Sequence, residues 1–181
     1  MDAVTGGVTG AATGNSIWKD RQSTVVGSEI GTVVGEVIRT NIAPHERELK
    51  QQVAGTGAAV SNNGNQLRVI LPESITFATG SSTVASSFLP ALRGIAYWLY
   101  THPNSTVRVL GHTDNVGSST YNQRLSQHRA LAIARILLIN GVSSSRISYA
   151  GRSHNAPITM DATATSRAQN RRVEIIITPW R

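Results

Sequence analysis

The chain reads as an α/β sandwich with helices packed on one sheet, and three observations carry that expectation. From about Gln66 onward, segments of alternating apolar residues occur at "QLRVILPESITF", "STVRVLGHTD", "SRISYAG" and "RRVEIIITP", each short enough for a strand. Between them lie segments of helical spacing, and strands that alternate with helices build layered α/β domains. The composition, 40% hydrophobic and 15% charged, is that of a chain able to bury a core.

The elements follow in order. Residues 1–60 form a Gly-rich segment, in which Gly6, Gly10 and Gly14, then Gly27, Gly31 and Gly35, recur every fourth position. Glycines at that spacing line one helix face and let a second backbone come close, although a Gly-rich linker shows the same composition. "APHERELKQQVAG" reads as a short helix with Pro44 in its first turn and Gly55 beyond its end. Residues 61–181 form the second region. Its first strand is interrupted at Pro72 and resumes through Phe77. "STVASSFLPALRGIAYWLYTHP" is a helix carrying Val84, Phe88, Leu92, Ile95 and Leu99 on one side. The next strand delivers His112 and Asp114 at its carboxyl end. A long helix follows from about Thr120 to Asn140, with Thr120 and Gln123 placed for a capping box. A short helix in "ATATSRAQN" separates the last two of four strands.

Several function classes are excluded or disfavoured. The chain of 181 residues has no cysteine, hence no disulfide, thiolate metal site or cysteine nucleophile. It shows no export signal and no run of apolar residues long enough for a membrane span. No HExxH helix, GxSxG elbow or phosphate-cradling loop is present, so no enzyme activity, cofactor or metal is expected. His112 and Asp114 stand two apart, as metal ligands can, but His112 is expected to support the loop instead. Residues 61–181 hold twelve basic residues, all arginine, against four acidic ones, which favours anionic surfaces. The arginines scatter over many elements without interleaved aromatics, so nucleic acid is not the expected partner.

Arg129 stands out. The long helix has an apolar stripe through Leu125, Ala132, Ile133, Ile136 and Leu137, and Arg129 falls on it, whereas Arg124, His128 and Arg135 lie on a solvated face. An arginine turned inward needs an acceptor, because an unpaired buried charge is costly. Asp114 is the candidate, since a strand's carboxyl end and the helix after it share one crevice, where ligands of α/β sheets bind. Asn122 projects over the same face. A guanidinium suits a carboxylate and a carboxylate suits an ammonium, so the pair fits a zwitterion. The same spacing also fits a salt bridge that only ties strand to helix.

Three blocks, "GHTDNVGSSTYNQRLSQHRA", "INGVSSSRISYAGRSHNAPI" and "SRAQNRRVEIIIT", resemble in order those of the OmpA-like C-terminal domain, over about residues 66–179. The resemblance implies a βαβαββ sandwich with a mixed four-stranded sheet. It further implies non-covalent binding of peptidoglycan through the diaminopimelate residue of its stem peptide. Asp114 and Arg129 match the residues that grip the zwitterionic end of that ligand. Thr113, Asn122, Leu125 and Arg171 match positions around it, with Arg172 a less certain member of its pair. Gly80 stands where the family often has a polar side chain, so a contact there is expected from backbone or from Ser81.

The glycine series resemble a subgroup of outer-membrane lipoproteins with a glycine zipper before the domain, whose lipid anchor requires a cysteine that this sequence does not contain. The resemblance thus implies a periplasmic, outer-membrane-associated protein that tethers the membrane or an envelope complex to the cell wall. An alternative is a structural subunit of a secretion system or other envelope machine, with the domain serving mainly as an interaction module.

Overall fold

The computed structural model describes residues 42–78 and 80–179. Both glycine series lie outside the described residues. The compact unit that carries the sheet begins at Arg39, so the short helix after Ile42 and the segment around residue 60 pack within it.

Helix α1 (Ala43–Gln52) has its proline in the first turn, where a missing N–H costs nothing, and buries Leu49. Strand β1 (Ala59–Asn62) pairs antiparallel with β2 (Leu67–Pro72). The order across the sheet is β1-β2-β5-β3-β4, with β3 (Ser105–His112), β4 (Ile147–Gly151) and β5 (Arg172–Pro179). Only β3 and β4 run parallel, so the sheet is mixed, as expected. It has five strands, not four: β1 is an added edge strand of four residues in which only Val60 is buried.

The first strand does not resume after Pro72. A single helical turn, α2 (Glu73–Thr76), follows instead, and Phe77 makes only an isolated bridge with Val84. The following helix therefore begins later than its apolar spacing suggested. After a 3₁₀ turn at Ser86–Phe88, α3 spans Leu89–Thr101 with Pro90 in its first turn. Proline is tolerated there and disfavours helix before it, which keeps Val84 out. The long helix α4 (Ser119–Ile139) is capped by Ser118, whose hydroxyl accepts from Tyr121 N–H, and not by a Thr120 box. A capping box does occur at α5 (Ala164–Asn170), between Thr163 and Ser166.

One sheet face carries the core. Leu67, Val69, Leu71, Val107, Val109, Val173, Ile175 and Ile177 point toward α1, α3 and α4, and all belong to one buried cluster. Two glycines let α4 lie directly on the sheet. A β-carbon on Gly111 would stand 2.0 Å from Ser126 O, and one on Gly151 would stand 2.5 Å from Gln127 N. That close approach brings the next turn of α4, with Arg129, toward the strand ends. Among the described residues no helix is long and apolar enough to cross a membrane.

Among the described residues three arginines are internal. Arg146 donates to Leu99 O, His102 O, Ser105 O and Ser105 Oγ, closing the carboxyl end of α3 onto the start of β3. Arg172 is buried against Glu174, and Arg129 is 1% exposed. The positive charge counted along the sequence is thus partly folded inward.

Candidate functional site

Three strand ends meet at one edge of the sheet. Pro72, the last residue of β2, is opposite Arg172, the first of β5, and Arg172 is also opposite His112, the last of β3. Glu73, Thr113, Asp114 and Arg171 are the residues that step off those strands. They are joined from above by Asn122, Leu125 and Arg129 of α4, around a cleft of about 390 Å³. Gly80, Val116, Tyr121 and Arg167 complete its lining.

The charges on its floor alternate. Arg129 donates from Nη2 to Glu73 Oε1 and from Nε to Ser81 O at 3.0 Å, and its guanidinium lies 5.3 Å from the centre of the Phe77 ring. Glu73 takes a second arginine on its other oxygen, Arg171 Nε at 2.5 Å. Arg171 in turn donates from Nη1 to Asp114 Oδ2 at 2.7 Å. The bond to Asp114 first, and that to Glu73 after it, raise the pKa of Arg171 against the opposing effect of burial. Asp114 Oδ1 accepts Val116 N–H at 3.1 Å, which folds the loop back under the carboxylate. Asn122 fixes the same loop by donating to Val116 O at 2.9 Å and Asp114 O at 3.4 Å. The result is a row Arg129, Glu73, Arg171, Asp114, in which two carboxylates answer two guanidiniums.

All six residues singled out from the sequence, Thr113, Asp114, Asn122, Leu125, Arg129 and Arg171, line this cleft. Their connections differ from expectation in one respect. The acceptor for Arg129 is Glu73, not Asp114, and Asp114 reaches it only through Arg171 and Glu73. Arg172, beside Arg171, points to the other sheet face and bonds Glu174, Asn170 O and Ala156 O. At the Gly80 turn it is the Ser81 carbonyl that contacts the site, while the Ser81 hydroxyl accepts from Thr83 N–H.

Two side chains at this end of the sheet carry unsatisfied groups. Thr113 Oγ1 is buried with no hydrogen-bond partner, while its backbone N–H donates to Ser153 O at 3.0 Å. Both ring nitrogens of His112 are likewise buried without a hydrogen bond. Burial first, then the nearby Arg172, Arg152 and Arg68, lowers the pKa of His112 to about 3, so the ring stays neutral behind the loop. Glu73, Tyr121 and Arg167 were missed in the sequence. Glu73 was available as one of four acidic residues beyond residue 60, placed directly after Pro72.

Comparisons with known proteins find related sequences and the same fold. A protein of Escherichia coli (strain K12) named "Probable lipoprotein YiaD" is 38% identical over 134 residues, which is 74% of this chain and 61% of that protein. The peptidoglycan-associated lipoprotein of Legionella pneumophila is 42% identical over 100 residues, 55% of this chain and 57% of that protein. The chain thus spans about three fifths of the length of these relatives. Among solved structures, the cell wall anchor of the T6SS from Pseudomonas aeruginosa superposes with a TM-score of 0.66 at 33% identity, covering 74% of this chain and 95% of that one. The OmpA family model matches residues 76–171, more than half of the sequence, with the cleft residues from α4 and Arg171 inside the match, and the chain belongs to the OmpA family.

Proposed function

We propose that the cleft binds peptidoglycan non-covalently, through the zwitterionic end of diaminopimelate in its stem peptide, and that the protein tethers the outer membrane or an envelope complex to the cell wall from the periplasmic side. The observation that carries this reading is the balanced row of two guanidiniums and two carboxylates on the floor of an open cleft. An isolated anion or cation meets a charge of its own sign in that row. A ligand group bearing both an ammonium and a carboxylate meets a partner for each, at Asp114 and at the arginines. Thr113 also lines the cleft, and its hydroxyl, buried just beneath the surface, is used by no protein atom. Names of relatives support the same reading, since one is a peptidoglycan-associated lipoprotein and another a cell wall anchor. No bond is broken in this account: the function is binding, non-enzymatic, and each site can be weak because one wall polymer presents many copies of the ligand.

The test is co-sedimentation with insoluble diaminopimelate-type peptidoglycan. Wild type is expected in the pellet. Asp114→Asn, which keeps the side-chain shape and an acceptor for Val116 N–H but loses the charge, is expected to bind about 10- to 100-fold more weakly, as for loss of a charged hydrogen bond. Thr113→Val is expected to weaken binding by a smaller factor, and circular dichroism checks that both variants are folded. A wild-type protein that stays in the supernatant, or folded variants that pellet equally well, would refute the cleft reading.

A further inference from the structure

At the end of the sheet opposite the cleft, α1 and the carboxyl end of α3 bring His45, Glu48 and His102 together. His45 and Glu48 stand three apart on α1, on one helix face, and His102 caps α3 just before β3 begins. The eight residues of β3, about 25 Å of extended chain, separate this cluster from Asp114.

The three donor atoms are placed as metal ligands are. His45 Nδ1 lies 3.5 Å from Glu48 Oε2, His102 Nε2 lies 3.4 Å from the same oxygen, and all three lie within 4.8 Å of one another. Ligands on a tetrahedral ion with bonds of about 2.0–2.1 Å stand about 3.3 Å apart, so two of the three edges are already near that length. Protonation fits as well. His102 Nδ1 is 2.8 Å from Trp98 O, and a carbonyl can only accept, so Nδ1 carries a proton, and Nε2, the nitrogen left to bind a metal, faces Glu48. His45 Nδ1 is buried and makes no hydrogen bond.

Outer contacts hold the ligands in place, as they do around metals. Trp98 Nε1 donates to Glu48 Oε2 at 2.9 Å, and the indole stacks on His102 with ring centres 4.1 Å apart. The carboxyl end of α3 adds negative potential where a cation would sit. We infer that His45, Glu48 and His102 form a binding site for a divalent transition metal of the zinc class. It ties the first helix of the compact unit to α3 and leaves one tetrahedral position open. Two imidazoles and one carboxylate are a donor set that zinc accepts, and calcium and magnesium prefer all-oxygen sites.

Isothermal titration of the full chain with zinc chloride tests this. One zinc per chain is expected, and at a hundredfold excess over its dissociation constant the melting temperature is expected to rise by about 5–10 °C. Three variants remove a ligand while sparing the local fold. His102→Asn keeps a donor for Trp98 O, His45→Gln removes Nδ1, and Glu48→Gln keeps an acceptor for Trp98. Each is expected to lower affinity about tenfold or more, whereas His128→Gln, on the exposed face of α4, is expected to bind as wild type. Absence of zinc binding in the wild type overturns the site, and so does undiminished affinity in the His45→Gln and His102→Asn variants. Because the cluster and the cleft lie at opposite ends of β3, peptidoglycan sedimentation by the three variants is expected to match wild type, and the two readings fail separately.

Discussion

Among the described residues Arg129 is the largest fully buried side chain, and its charge is held by Glu73. A double-mutant cycle on this pair measures what the row of charges contributes to stability. Glu73→Gln leaves the guanidinium, 1% exposed, facing a neutral amide. Removing one partner of a buried pair costs about 3–5 kcal/mol. The side chain of Glu73 is 16% exposed and glutamine still offers an acceptor, so the lower end, about 3 kcal/mol, is expected. Arg129→Met keeps the apolar contacts along the stripe and leaves Glu73 paired with Arg171, so about 2 kcal/mol is expected. With both changes made, the orphaned charge of the first variant is gone. The double variant should then be no less stable than the worse single one, giving a coupling energy of about 2 kcal/mol. For a chain of this size each kcal/mol shifts the melting temperature by about 2–4 °C, so Glu73→Gln alone lowers it by about 6–12 °C. Urea unfolding followed by far-ultraviolet circular dichroism supplies the four free energies. Effects that add to within about 0.5 kcal/mol would show that Glu73 and Arg129 act independently, and the assignment of Glu73 as the counterion would be wrong.

Two further outcomes are expected. Gly111→Ala places a β-carbon 2.0 Å from Ser126 O, where neither backbone can yield without lifting α4 from the sheet, and is expected to cost about 3 kcal/mol in urea unfolding; a change under 1 kcal/mol contradicts the close approach. His112 binds its proton at about 3 in the folded chain, against 6.5 unfolded, so the unfolded state takes up the proton first as pH falls. Stability from the neutral ring is complete above 6.5 and is lost progressively down to about 3, with a slope approaching 1.4 kcal/mol per pH unit. His112→Leu is expected to flatten that part of the stability curve, and an unchanged slope between pH 4 and 6 would place the titration elsewhere.

The order of elements was legible in the sequence because apolar period and breakers agree along most of the chain. β3 and β5 each bury a row of branched side chains on one face and hold one arginine, Arg108 or Arg172, on the other. Where the pattern misled, a local backbone preference overrode the apolar spacing. Val84 and Phe88 continue the α3 stripe on a helical wheel, but Pro90 sets where that helix can begin. Pro72 likewise ends β2, and the apolar Ile75 and Phe77 beyond it belong to a helical turn and a bridge. β1 left almost no trace. Its four residues show one buried side chain, and its place at the sheet edge depends on pairing with β2, which composition does not encode.

The site was legible to a different depth. A charge on an apolar stripe announces that an acceptor exists, because the alternative is too costly, and that argument holds for Arg129 whichever residue answers it. It does not name the acceptor. Asp114 was the nearest carboxylate along the chain, yet Glu73, 56 positions before Arg129, is the one that arrives, because β2 and β3 end at the same edge with β5 between them. That placement changes the chemistry of the cleft. Asp114, instead of closing on the buried Arg129, pairs with Arg171, whose side chain is 33% exposed. With Glu73 holding Arg129 in place, and Arg171 linking Glu73 to Asp114, one carboxylate positions both guanidiniums of the row. Such preorganisation lowers the ordering cost of binding, because the guanidiniums are immobilised when the domain folds. The second carboxylate is therefore part of what orders the row of charges, although only the first could be read from the helix and the loop before it.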